Sequence, residues 1–120
     1  MAKDTGYEPL ELLSGETREM HRAITSLMEE LEAIDSYQRR ADVCREPQLK
    51  AVLLHNKNEE IEHASMLIEW IRRHNDRFNE MLRKFLFTEQ PITGIEKGAG
   101  TDSAAATITE SPGIGGMKGI

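Results

Sequence analysis

The apolar positions of the chain recur with a helical period along two long segments. In the first, from about Glu8 to Arg40, Met20, Ala23, Ile24, Leu27, Leu31 and Ile34 gather on one face when each residue is turned by about 100°. In the second, from about Glu46 to His74, Leu49, Leu53, Ala64, Leu67 and Ile71 form a similar stripe. Pro9 and Pro47 stand where a helix tolerates proline, in its first turn. The stretch "SGET" offers Ser14 as an N-cap, so a boundary inside the first segment is expected. Asn75-Asp76 reads as a break, followed by a shorter helix from Asp76 to Phe87 that Pro91 ends. Strand signals are weak and no internal repeat is present. The pattern predicts an all-α fold: an antiparallel two-helix hairpin plus a short C-terminal helix.

After Glu96 the pattern dissolves into "KGAGTDSAAATITESPGIGGMKGI", rich in Gly, Ser, Ala and Thr. The expected organisation is a polar lead-in over 1–7, a helical domain over 8–95, a flexible linker over 96–110 and a terminal peptide over 111–120. That peptide carries the last apolar residues, Ile114, Met117 and Ile120.

Two polar residues break the pattern in an informative way. Glu60, within "NKNEEIEHASM", sits at the centre of the second stripe, whose apolar members lie within roughly 40° of it on the helical wheel. His63 follows at i+3 and faces the same way. In the first helix Glu30 falls inside the apolar face, between Ala23 and Tyr37 in angle, whereas Glu29 and Glu32 point away. A buried carboxylate without a partner costs several kcal/mol, roughly, or takes up a proton. Two carboxylates and an imidazole brought together by two helices have a direct remedy in a metal cation, and oxygen and imidazole donors suit iron, manganese or zinc.

Composition bears on how such a site is supported. The chain has 120 residues, 38% hydrophobic and 5% aromatic, with Cys44 as its single cysteine. So small a core is usually reinforced by disulfides, metals or oligomerisation. The first is excluded and the other two remain. In di-iron carboxylate bundles, two helices give one Glu each and two others give Glu-x-x-His. This chain supplies one helix of each kind, which is half a site and half a four-helix bundle. The expectation is a two-fold dimer in which Glu30 and its symmetry mate bridge two metals, each completed by Glu60 and His63. The net charge of −6 disfavours nucleic acid as a partner. No apolar run approaches the length of a membrane span, and the N-terminus lacks a signal-peptide stretch. With the lone cysteine, this points to a reducing cytosol.

The stretches "MHRAITSLMEELEAIDSYQRRAD" (20–42), "HNKNEEIEHASMLIEWIRR" (55–73) and "FLFTEQPIT" (85–93) resemble the encapsulated ferritins, over roughly residues 8–95. The resemblance implies a hairpin that dimerises into a ferritin-like four-helix bundle and assembles further into a ring decamer. It implies a ferroxidase that oxidises Fe(II) to Fe(III) with O₂, using two irons per dimer interface. It also implies packaging in an encapsulin shell for iron storage, inside a nanocompartment of the prokaryotic cytoplasm. On this resemblance the ferroxidase ligands fall on Glu30, Glu60 and His63, and the site where metal first enters falls on Glu29 and Glu32. A peripheral metal site looks similar to His55, Glu59 and Glu62, and Tyr37 matches a tyrosine beside the centre. The family usually reads Asp-Trp-Tyr where this chain has Asp35-Ser36-Tyr37, so Ser36 replaces a tryptophan near the metals. The tail "SPGIGGMKGI" resembles the peptide that docks cargo on the encapsulin shell protein, with Ile114 and Met117 as pocket-filling side chains.

Plainer readings accompany each of these. The run holding Glu29 and Glu32 reads on its own as a solvated face, His55 as a surface histidine, and Met20, Met28, Met66 and Trp70 as packing residues. Two other functions use the same residues: a non-catalytic oligomeric scaffold with a docking tail, and a zinc or manganese buffer without redox chemistry.

Overall fold

In a computed structural model, which describes residues 7–98, every regular element is helical. A 3₁₀ turn at Leu10–Leu12 precedes α1 (Gly15–Val43), α2 (Pro47–His74), α3 (Asp76–Phe85) and α4 (Ile92–Gly98). The lead-in through residue 6 and the chain from 99 onward, including the expected terminal peptide, lie outside the described residues.

The start of α1 is set by Ser14, whose hydroxyl accepts from the Thr17 amide at 3.1 Å and so satisfies one of the unpaired N–H groups of the first turn. Arg18 Nε donates to the Leu10 carbonyl at 2.9 Å and ties the 3₁₀ turn to the helix. The expected single run from Glu8 therefore resolves into a turn and a capped helix. At the other end α1 runs three residues past Arg40, because nothing in "ADV" opposes a helix. Pro47 takes the first position of α2, and the Glu46 carboxylate accepts from the Leu49 amide at 2.7 Å.

The two long helices pack antiparallel: Gln38 meets Lys57 while Glu30, further back in α1, meets His63, further on in α2. Lys57 Nζ donates to Gln38 Oε1 at 2.7 Å, and Gln38 Nε2 donates to Asp42 Oδ1 at 2.8 Å. This polar link between the helices was not anticipated from sequence. Small residues let the helices approach: Ala23, Ala41, Ala64 and Ile71 are the buried hydrophobic residues among those described. The rest of the expected stripe is only partly covered. Ile24 is 39% exposed, Leu31 51% and Leu49 51%. One hairpin thus buries a narrow strip and leaves the flank of its own apolar face open.

From Asn75 onward the chain forms a separate unit. Asn75 Oδ1 accepts from the Phe78 amide at 2.7 Å and caps α3, as expected of the Asn75-Asp76 break. The helix stops at Phe85. Phe87 is in the left-handed region at φ 59° and 90% exposed. Pro91 does not end a helix. It precedes α4, and its carbonyl accepts from Gly94 and Ile95. Proline opens helices as readily as it follows them, and here it opens one. α4 also crosses the expected boundary at 95–96.

Candidate metal centre

Glu30 from the middle of α1 and Glu60 and His63 from the middle of α2 converge. Their ligand atoms all lie within 4.8 Å of one another, and they are the group of acidic, histidine and cysteine side chains among the described residues that has metal-binding geometry. His63 Nδ1 is 3.3 Å from Glu60 Oε1 and 3.5 Å from Glu30 Oε1. Both carboxylate side chains are 24% exposed and the imidazole 43%, so the cluster lies at the edge of the hairpin, half covered.

Glu30 Oε1 is sealed from solvent and accepts no hydrogen bond. An orphaned anionic oxygen is costly in a medium of low dielectric. A proton shared with Glu60, or a cation, would satisfy it. The electrostatics show the same tension. The Glu60 carboxylate, by favouring a bond to protonated Glu30, raises Glu30 above the ordinary value, and burial adds to this against the pull of His63. Glu60 is lowered, first by its bond to Glu30 and then by His63, although burial opposes. For His63, burial works downward, but the bond to Glu60 and the charges of both carboxylates outweigh it and the imidazole is raised. Protons and a cation would compete for the same atoms of these three groups.

The other expected residues are not gathered in this way. Glu29 and Glu32 are exposed on α1, away from the trio. His55 Nε2 lies 3.8 Å from Glu59 Oε2, both exposed, and Glu62 is exposed without joining them in a metal-binding group. Ser36 and Tyr37 are half-buried. Tyr37 is two turns on from Glu30, and the Arg40 guanidinium stands 5.4 Å from its ring centroid. Cys44 Sγ contacts the Glu46 carbonyl at 3.6 Å in the inter-helix turn. No helix of the described residues is long and apolar enough to cross a membrane.

A family model described as EncFtn-like matches residues 5–89. The "Encapsulated ferritin-like protein" of Rhodospirillum rubrum is 47% identical over 127 aligned residues, covering 98% of this chain and 91% of that protein. The "Ferritin-like protein" of Thermotoga maritima is 44% identical over 94 residues, with 78% and 82% of the two chains covered. Among solved structures, the crystal structure of protein ne0167 from Nitrosomonas europaea is similar, with a TM-score of 0.71 and 55% identity. The likeness covers 74% of this chain and 98% of that one.

Proposed function

The chain belongs to the EncFtn-like family, and from that premise we propose that it is a ferroxidase whose di-iron site forms between two copies of the chain. The observation that carries the reading is the trio itself: a sealed, unpartnered carboxylate oxygen facing a second carboxylate and an imidazole, on the open edge of a hairpin. One chain offers three donors. A second copy related by a two-fold axis doubles them to four carboxylates and two imidazoles, the complement of a di-iron carboxylate bundle. The open apolar flank of Ile24 and Leu31 is covered by the same pairing.

Fe(II) is the substrate, and two of them supply two electrons to one O₂. Anionic oxygen donors favour Fe(III) over Fe(II), which makes the mostly carboxylate shell an oxidising environment for iron. His63 holds Nδ1 3.3 Å from Glu60 Oε1 and 3.5 Å from Glu30 Oε1, so one ring nitrogen would meet the metal and the other would bond a neighbouring acceptor. Glu29 and Glu32 serve as weak acidic stepping stones toward the centre, and His55, Glu59 and Glu62 as a peripheral site. Tyr37 and Ser36 line the approach, where serine in place of the family's usual tryptophan leaves a wetter path. The paired chains build into a ring decamer that is cargo of an encapsulin shell protein in the prokaryotic cytoplasm. The peptide at 111–120 attaches it there, and the oxidised iron is stored.

Anaerobic addition of Fe(II) to the full chain, followed by air, tests the chemistry. Fast O₂ consumption with a rise in ferric absorbance above a protein-free control is expected. Binding of Fe(II), Zn(II) or Mn(II) alike without any rise would leave a metal buffer instead. The same assay has a defined pH dependence. The raised values of Glu30 and His63 mean that protons compete for these ligands at higher pH than for free side chains. Iron affinity is therefore expected to fall on acidification, at higher pH than free glutamate and imidazole ligands would give, with protons released on binding. An affinity unchanged down to pH 5 would contradict the ligand assignment.

A further inference from the structure

A half-buried lysine stands one helical turn from the metal centre. Lys57 precedes Glu60 by three residues, about 4.5 Å along the axis of α2, and neighbours at that spacing share a helix face. A basic residue three places ahead of a glutamate pairs with it elsewhere in this chain: Arg77 Nη1 lies 3.1 Å from Glu80 Oε1 on α3. Lys57 departs from that behaviour. Its Nζ donates across the helix pair to Gln38 Oε1 at 2.7 Å, and the partners of Glu60 are Glu30 and His63.

Two features of α1 hold the ammonium in this place. Gln38 is half-buried, one turn before the fully buried Ala41, so its side chain lies along the contact with α2. Its amide is also oriented. Nε2 donates to Asp42 Oδ1 at 2.8 Å, one turn further along α1. A carboxylate only accepts and an ammonium only donates, so the amide between them can point in one direction alone, with its oxygen toward Lys57. Ammonium, amide and carboxylate form a chain polarised from α2 to α1, in which each bond strengthens the next.

An ammonium on Glu60 would act as a tethered cation. It would meet the lone pairs that a metal needs, and every incoming metal ion would have to displace it. Metal binding requires ligands freed of protons and of competing partners. We propose that Gln38, oriented by Asp42, is a positioning residue that draws the Lys57 ammonium off Glu60 and leaves this carboxylate open to metal. The inference rests on the reading of the trio as a metal centre, and adds the device that keeps one of its ligands free.

Anaerobic titration of Fe(II) into the metal-stripped full chain, followed by calorimetry, tests it, with circular dichroism as the folding control. Gln38→Leu removes the acceptor at similar volume. It is expected to weaken Fe(II) affinity at least about threefold, as the released ammonium moves to Glu60. Lys57→Met carries no ammonium and is expected to bind at the parent affinity or tighter. Gln38→Leu made on top of Lys57→Met is expected to change nothing further, because the coupling between the two positions runs through the ammonium. A link that merely braces the helices gives another pattern, in which Lys57→Met weakens binding as much as Gln38→Leu does. That pattern, a Gln38→Leu affinity equal to the parent's, or an equal loss with and without Lys57→Met would each overturn the proposal. Failure of the underlying reading looks different: His63→Ala then binds Fe(II) as the parent does, and the metal centre and this proposal fall together.

Discussion

Replacing Glu30 by glutamine is expected to abolish iron oxidation and, in the same protein freed of metal, to raise the melting temperature near neutral pH. The two effects have one cause. Glu30 Oε1 is sealed from solvent beside a second carboxylate, with His63 Nδ1 3.5 Å away as its neighbour, so a charge there is costly unless a cation is present. The sign follows from its raised pKa. Such a group stabilises the fold below its unfolded value and loses that contribution as pH rises through the folded value. The contribution therefore shrinks as pH rises. The glutamine side chain keeps the shape, carries no charge and can donate its amide to Glu60. Loss of one shared ligand removes more activity than the 10- to 100-fold, roughly, that outer partners of a ligand command. Thermal melts in chelator and oxygen-electrode traces of both proteins measure the pair of effects. A Glu30→Gln protein that melts lower than the parent without metal, or that oxidises iron at the parent rate, contradicts the assignment.

Ala64→Leu is expected to be the most damaging change in the hairpin that touches no ligand. Ala64 is 4% exposed, next to His63 in sequence and at the level of Glu30 across the helix pair. It lets α1 and α2 approach closely enough for the trio to meet. Adding three carbons forces the helices apart or the side chain off its rotamer, at a cost of about 1–3 kcal/mol. For a domain of this size each kcal/mol lowers the melting temperature by about 4–8 °C. Because Glu30 sits on one helix and Glu60 and His63 on the other, spreading them also weakens iron binding. Ala51→Leu, on the exposed side of the same helix, is the control and should change stability by less than about 0.5 kcal/mol. Melting curves and iron titrations of the two variants side by side check both parts. Equal effects at the two positions would mean that helix separation does not set the site.

These expectations rest on features that sequence made legible to different degrees. The trio was readable because a 3.6-residue period fixes which side chains share a helix face, and charged residues inside an apolar stripe stand out against it. Ser14 and Asn75 were readable as caps for a similar reason: their side chains bond locally. What period alone leaves open is which apolar face packs within the chain. Ile24 and Leu31 belong to the predicted stripe, yet one hairpin leaves them half open. Met66 reads as a packing residue but is 59% exposed on α2, whereas Trp70 is half-buried and stacks on His74. A face that another copy covers, as proposed for Ile24 and Leu31, has the composition of a core. The Lys57–Gln38 link depends on the register between helices, which no single-helix pattern contains. α4 was hidden by Pro91, a residue compatible with either end of a helix. Glu29, Glu32, His55, Glu59 and Glu62 carry no periodic anomaly, and in one hairpin they are exposed and, apart from the His55–Glu59 contact at 3.8 Å, not gathered.

The ferroxidase proposed above requires that the trio be half of a site completed by another copy. Native mass spectrometry of the full chain, metal-free and after anaerobic Fe(II), beside His63→Ala, reads this directly. The expected spectrum shows iron gained in pairs, on assemblies of even chain number only, and lost from His63→Ala. Iron held singly by lone chains, or equal iron on the parent and His63→Ala, would contradict it.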